Sequence, residues 1–218
     1  TGAGQKMAIW KLDPDHCEDT LPGWPMTIND WTGDPKLGEQ ISEAKAVAVD
    51  EVGNIAIGGN LLVDGKPQRY TAMLTPNGGR VWERTGLVGE EVSSVVFADD
   101  IVIAGGWKFT STNPPRTDAM IWRHLPDNKM YASDLKAPFT ADESDKDFLN
   151  ERSERIRAIL IEPETGLLVV AGEREIREDG FLKVDTRAFI ARFVPLGAPV
   201  PVGSPSTSPG DVFGNDSV

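Results

Sequence analysis

The feature that most constrains this chain is that it repeats itself. Ile9-Trp10-Lys11-Leu12-Asp13-Pro14-Asp15 recurs as Ile121-Trp122-Arg123-His124-Leu125-Pro126-Asp127, and more faintly as Ile190-Ala191-Arg192-Phe193-Val194-Pro195. Met73-Leu74-Thr75-Pro76-Asn77 is a weaker copy between the first two. A second pattern interleaves with the first, a β-branched or aliphatic run that ends in glycine. It reads Ile55-Ala56-Ile57-Gly58-Gly59, then Ile101-Val102-Ile103-Ala104-Gly105-Gly106, then Leu168-Val169-Val170-Ala171-Gly172. Self-similarity at this period demands one supersecondary unit used several times, because each copy must bury its apolar face against the next.

The spacing and the punctuation decide which unit. Glycines 58, 105 and 172 are separated by 47 and 67 residues. A four-stranded propeller blade takes roughly 40–50 residues, and loop insertions lengthen it. Helical repeats would need apolar residues at helical intervals. Here the apolar runs are short, rich in Val and Ile, and separated by Asp-Glu-Val-Gly, Pro-Asn-Gly-Gly and Pro-Glu-Thr-Gly. Those are strand and turn signals. The chain therefore reads as all-β, with antiparallel four-stranded blades forming a β-propeller or part of one.

About three and a half blades can be drawn. A partial N-terminal blade occupies 1–40, with a C strand over Lys6 to Leu12 and a D strand over Pro25 to Trp31. Full blades follow at 41–88, 89–136 and 156–202, the last with a weak D strand near Ala198 to Val202. Residues 137–155 form a charged insertion with a short helix near Asp147 to Arg152, and 203–218 are a Ser/Pro/Gly-rich tail or linker. The paired glycines after strand B serve either a positive φ, a close backbone approach, or a hairpin turn. Gly105 is accordingly expected to tolerate valine less well than Gly180.

At 218 residues the chain can bury a substantial core as one domain. Its net charge of −12 argues against nucleic acid and against adhesion to anionic lipid. No window approaches the roughly 18–20 apolar residues that span a bilayer. Cys17 alone allows no internal disulfide. Opening on Thr1 without a basic-then-apolar leader, the chain reads as a processed product or a fragment.

The strings AVAVDEVGNIAIGG, TAMLTPNGGRVW, AIWKLDPD and AFIARFVPLG resemble the bacterial delta-60 β-propeller repeat across most of residues 6–196. The second unit departs from it in having Asp99-Asp100 where the turn between strands A and B carries glycine. The third lacks an Asp-Gly turn after strand C. The resemblance implies a part of a secreted, periplasmic or surface-attached protein and supplies no catalytic motif.

Site chemistry is sparse. Asp13, Asp15, His16, Cys17, Glu18 and Asp19 are the densest potential metal ligands, but zinc sites draw short-spaced ligand pairs from two places and the only other histidine is His124. No calcium loop, nucleophile elbow or nucleotide loop occurs, so no cofactor and no catalytic residue is assigned. Glu90-Glu91 and Asp99-Asp100 are adjacent carboxylates, which strand geometry sends to opposite faces. Trp10 and Trp122 share a repeat position and read as packing residues. Trp107 stands where the other units have Asn60 and Glu173, and is the candidate contact for a ligand or partner.

Two functions follow. One is a non-catalytic interaction or structural module that binds a protein or glycan through blade loops. The other is a propeller-fold hydrolase or lyase with carboxylates at the channel mouth. In either case another polypeptide is expected to complete the propeller: the rest of a cleaved parent, a partner subunit or a second copy.

Overall fold

The computed structural model describes residues 5–13, 15–16, 21–112, 115–125, 129–134, 153–177 and 184–193. The described residues are all-β with antiparallel pairing throughout, apart from two short helices. A leading ribbon pairs β1 (Ala8–Ile9) with β2 (Met26–Thr27), and α1 (Ile28–Trp31) and α2 (Pro35–Glu39) follow it. The first sheet runs β3 (Ser42–Val49), β4 (Ile55–Val63), β5 (Lys66–Leu74), β6 (Arg80–Val88) in that spatial order. The second runs β7 (Glu90–Ala98), β8 (Ile101–Thr112), β9 (Pro115–His124), β10 (Met130–Asp134). The third runs β11 (Glu154–Ile161), β12 (Leu168–Arg177), β13 (Val184–Phe193). Each sheet is thus a meander whose strand order is its chain order.

The strands of the first two sheets span 42–88 and 90–134, inside the units read at 41–88 and 89–136. Two differences are physical. Pro25 to Trp31 is not one strand: after Met26–Thr27 the chain turns into α1, because Asp30 closes a capping box on Thr27, accepting from its backbone N–H at 2.6 Å and its hydroxyl at 2.9 Å. Ile28 and Trp31, one helical turn apart, are then both buried. The third unit also begins earlier than Ile156, since Glu154 already pairs with Arg174. The helix near Asp147 to Arg152, the D strand near Ala198 to Val202, Gly180 and the tail 203–218 lie outside the described residues.

The sheets stack face to face in chain order. Met7, Ile28 and Trp31 of the leading ribbon and α1 fill one face of the first sheet, against Ile57, Tyr70 and Leu74. The opposite face, with Ala56 and Trp82, receives Val92, Val95, Val102 and Trp122 of the second sheet. The second sheet in turn gives Ile103, Ala119 and Ile121 to Ile156, Ile159, Leu168 and Val170 of the third. The first strand of each sheet, β7 or β11, lies on the sheet before it.

The register explains how. Strands β3, β7 and β11 each carry a bulge at the same place, leaving Lys45, Ser93 and Arg157 without a cross-strand partner. Opposite each bulge sits a glycine: Gly59 faces Ala44, Gly106 faces Val92, Gly172 faces Ile156. A Cβ on these glycines would collide with the backbone carbonyl oxygens of Glu43, Glu91 and Arg155 respectively. The preceding position is glycine for a different reason. A Cβ on Gly58 would meet Val95 and Val92 at 2.5 and 2.6 Å, and one on Gly105 would meet Ile159 and Ile156 at 2.8 and 3.0 Å. None of these glycines has a positive φ, and all lie inside strands. Of the roles expected for them, close approach is the one they fill.

The positive φ values sit in the turns instead. Gly53 (87°), Asp99 (54°) and Gly166 (68°) occupy the turn between the first two strands of each sheet, so Asp99 does the work of the missing glycine. Asp64 and Gly65 make a two-residue hairpin turn with φ of 50° and 74°.

Polar atoms lock the sheets together as well. Asn60 Oδ1 accepts from Val92 N at 3.0 Å, Ser93 Oγ donates to Ile156 O at 2.6 Å, and Ile159 N donates to Ser94 Oγ at 3.2 Å. Buried backbone groups at the bulge thereby find partners in the adjoining sheet.

Gly106→Ala is expected to cost on the order of 3 kcal/mol, since the clash is with backbone that cannot move without breaking the ladder. Gly105→Ala, meeting only isoleucine side chains, is expected to cost about 1 kcal/mol. Urea unfolding midpoints of the two variants check this ordering; equal midpoints would contradict it.

Candidate functional site

The bulges bring equivalent residues of three sheets to one side of the stack. At the paired position before each bulge stand Glu43, Glu91 and Arg155, facing Asn60, Trp107 and Glu173 on the second strands. The unpaired bulge residues Lys45, Ser93 and Arg157 come next. Because the positions repeat, each sheet adds its own charge to the row.

Trp107 is 7% exposed. It lies well inside β8 and does not occupy a loop. Two guanidiniums from the third sheet cover its ring, Arg155 with Cζ 5.7 Å and Arg157 with Cζ 5.3 Å from the centroid. Such cation–π contacts contribute about 0.5–2 kcal/mol each. Glu173 also holds the same two arginines, accepting from Arg157 Nη2 and, at 3.5 Å, from Arg155 Nη1. The hydrogen bond from Arg157 keeps the Glu173 carboxyl below its ordinary range. Lys45 pairs with Glu43 at 2.8 Å in the first sheet. Glu91, between these groups, has its pKa raised by burial, with Lys45, Arg157 and Arg155 pulling it back and Glu43 adding to the rise.

This row can bind. Half the Arg157 side chain is exposed, at 51%, and its planar fork of donors suits a carboxylate or another polar oxygen pair. Beside it, Glu91 offers a carboxyl whose charge is disfavoured. Among the described residues no group of three or more His, Cys, Asp or Glu side chains is arranged to hold a metal ion.

The remaining sequence candidates are dispersed. His16 is exposed and lies 4.0 Å from Asp13; Cys17, Glu18 and Asp19 lie outside the described residues. His124 is far from that segment's role, buried between the first two sheets. It stacks on Trp82 with centroids 4.8 Å apart, and its Nε2 is 3.2 Å from the Thr71 hydroxyl. Next to it, Arg69 is 1% exposed, pairs through Nε with Glu90 Oε2 at 3.1 Å, and lies 4.9 Å over the Trp122 ring. Burial lowers the Arg69 pKa and Glu90 opposes the fall. As strand alternation requires, Glu90 turns to this interior and its neighbour Glu91 to the arginine row.

Sequence reasoning singled out Trp107 but did not place Glu91, Arg155 and Arg157 around it. The signal was present. Aligning the units on Gly59, Gly106 and Gly172 places Glu43, Glu91 and Arg155 in one column, and the bulge brings that column's neighbours together.

A scan against protein-family models and a search of curated proteins found no match to this chain.

His124 gives a pH prediction. Burial lowers its pKa to about 3 from 6.5, with Arg69 and Arg84 adding to the fall. Between those values the unfolded chain binds the proton and the folded one does not, so stability falls as pH drops below the unfolded pKa. The expected slope is about 1.4 kcal/mol per pH unit. Urea titrations at pH 7, 6 and 5 should show it, and His124→Phe should flatten it.

Proposed function

We propose that this chain is part of a β-propeller and acts as a non-catalytic interaction or structural module of a secreted, periplasmic or surface-associated bacterial protein. The observation that carries this reading is the row of equivalent residues before and within the bulges of three successive sheets. In a propeller the first strand of each blade faces the central channel, and these positions would look into it. The partner is a protein or glycan bearing a carboxylate or a comparable polar oxygen pair. Arg157 and Arg155 receive it, Trp107 supports their guanidiniums, and Glu91 and Lys45 set the charge around it. The delta-60-like strings AVAVDEVGNIAIGG and TAMLTPNGGRVW support the bacterial, exported setting. The net charge of −12 makes nucleic acid a poor partner. Among the described residues no helix is long and apolar enough to cross a membrane.

A second reading, a propeller-fold hydrolase or lyase, draws support from one observation. Burial raises the pKa of Glu91 against the opposing pull of Lys45, Arg157 and Arg155, and a desolvated carboxyl is the kind of group that serves as a general acid.

One experiment tests both. Arrays of acidic and neutral oligosaccharides and acidic peptides should show binding by the chain that Arg157→Glu weakens at least tenfold. Equal binding by the variant, or none by either protein, would reject the interaction site. Release of cleaved oligosaccharide, lost in Glu91→Gln, would favour the enzyme.

A further inference from the structure

The two ends of the stack carry matching vacancies. In the first two sheets, the face turned toward the following sheet is covered by the next β7-type strand. There Ala46, Ala48, Ala56 and Gly58 meet the second sheet, and Ser94, Val96, Ile103 and Gly105 meet the third. The register puts Ala158, Leu160, Val169 and Ala171 at these same positions of the third sheet, with Ile190 where Thr71 and Ile121 stand. Ile190 is 72% exposed and Leu160 50%, whereas Thr71 is 0% and Ile121 6%. The position that is interior at Thr71 and Ile121 is bare at Ile190, and Ala158 and Leu160 beside it are exposed where their equivalents in the first two sheets are half-buried.

The leading ribbon is bare in the complementary way. Ile9 and Trp10 hold the repeat positions of Ile121 and Trp122. Ile9 packs toward the following sheet, as Ile121 does. Trp122 points back onto the preceding sheet and is 0% exposed, while Trp10 is 58% exposed. In the second sheet β9 lies between β8 and β10, but among the described residues β1 pairs with β2 alone. The ribbon therefore corresponds to a third and fourth strand, and the edge of β1 is where a second strand would pair.

We propose that both vacancies are filled by one occupant, a two-stranded β-hairpin of the same repeat. Its first strand would lay two apolar residues flanking a bulge onto Leu160 and Ile190, as Val92 and Val95 meet Gly58, and Ile156 and Ile159 meet Gly105. Its second strand, glycine-ended and β-branched, would add to the free edge of β1 and cover Trp10. Strand addition of this kind draws affinity from main-chain hydrogen bonds and specificity from alternate side chains. The interface is continuous in kind with the two sheet–sheet interfaces already formed. The inference rests on the propeller reading, since only in a ring do the first and last units share a neighbour.

The probe is a fluorescein-labelled peptide with the β7–β8 hairpin sequence, residues 90–108, titrated with the full chain and followed by anisotropy. A saturable rise is expected, weakened at least tenfold by Ile190→Asp and by Trp10→Asp. It should vanish when the peptide carries Val92→Ser and Val95→Ser. Thermal midpoints within about 2 °C of the parent show that the exposed positions were changed without harm to the fold; Leu160→Lys replaces Ile190→Asp if they do not. Absence of saturable binding, or binding indifferent to these variants, would overturn the proposal. Self-association of the chain alone, abolished by Ile190→Asp, would assign the face to a second copy and overturn it too. Saturable capture of the hairpin by a chain that binds nothing on the oligosaccharide and peptide arrays would separate this outcome from failure of the charged row.

Discussion

Everything in this molecule depends on the contact between a backbone carbonyl and a residue with no side chain. At Gly59, Gly106 and Gly172 the neighbouring strand comes so near that the carbonyl oxygens of Glu43, Glu91 and Arg155 occupy the space of a Cβ. The bulge beside each glycine is what brings the strand in. An extra residue on one strand bends it and increases its twist. Here the bend turns Val92 and Val95, or Ile156 and Ile159, onto the preceding sheet. The flat patch left by Gly58 or Gly105 admits them. Two adjacent glycines thus do different jobs: one lets a sheet bend within itself, the other lets two sheets meet.

Apolar burial alone would let the sheets slide over one another, since it has no direction. Fixed register comes from the polar atoms at the same seam. Asn60 accepts from Val92, Ser93 donates to Ile156, and Ser94 accepts from Ile159, each across a sheet boundary. A slip of one residue would strand all of these buried groups. The ion pair of Arg69 and Glu90 sits between sheets one and two in a similar way, packed on Trp122. Its equivalents, Ala119 and Ala188, are small, so that seam differs in chemistry from the next.

Much of the fold was legible because its signals are local. Short β-branched runs, Pro-Asn-Gly-Gly and Glu-Val-Gly turns, and the interval between glycine pairs each describe a strand or its end. Their agreement drew the units 41–88 and 89–136, and the strands of the first two sheets lie within those bounds. The helix after Thr27 was misread because Met26-Thr27-Ile28 has strand composition, while the deciding signal was one carboxylate, Asp30, three residues on. Asp99 shows the same limit: an aspartate with a φ of 54° does a glycine's work, and the pattern alone did not say so. The charged row was harder still. Lys45 and Arg157 look like surface charges until the bulge is known, and a bulge leaves no composition of its own. Trp107 stood out as a mismatch between repeats, but that it lies beneath two arginines depends on residues some fifty positions away in sequence.

The order of the sheets in space is their order in the chain, and each makes its interface with the sheet before it. Assembly can therefore proceed in the direction of synthesis. The first sheet closes on the leading ribbon and α1 before β7 has been made, and its finished face then receives β7 as it emerges. Contacts within a meander are short in sequence, so each sheet closes quickly and with little loop entropy to overcome. A nascent chain built in this way never holds more than one uncovered face at its growing end, which limits the apolar surface open to misassociation on the ribosome.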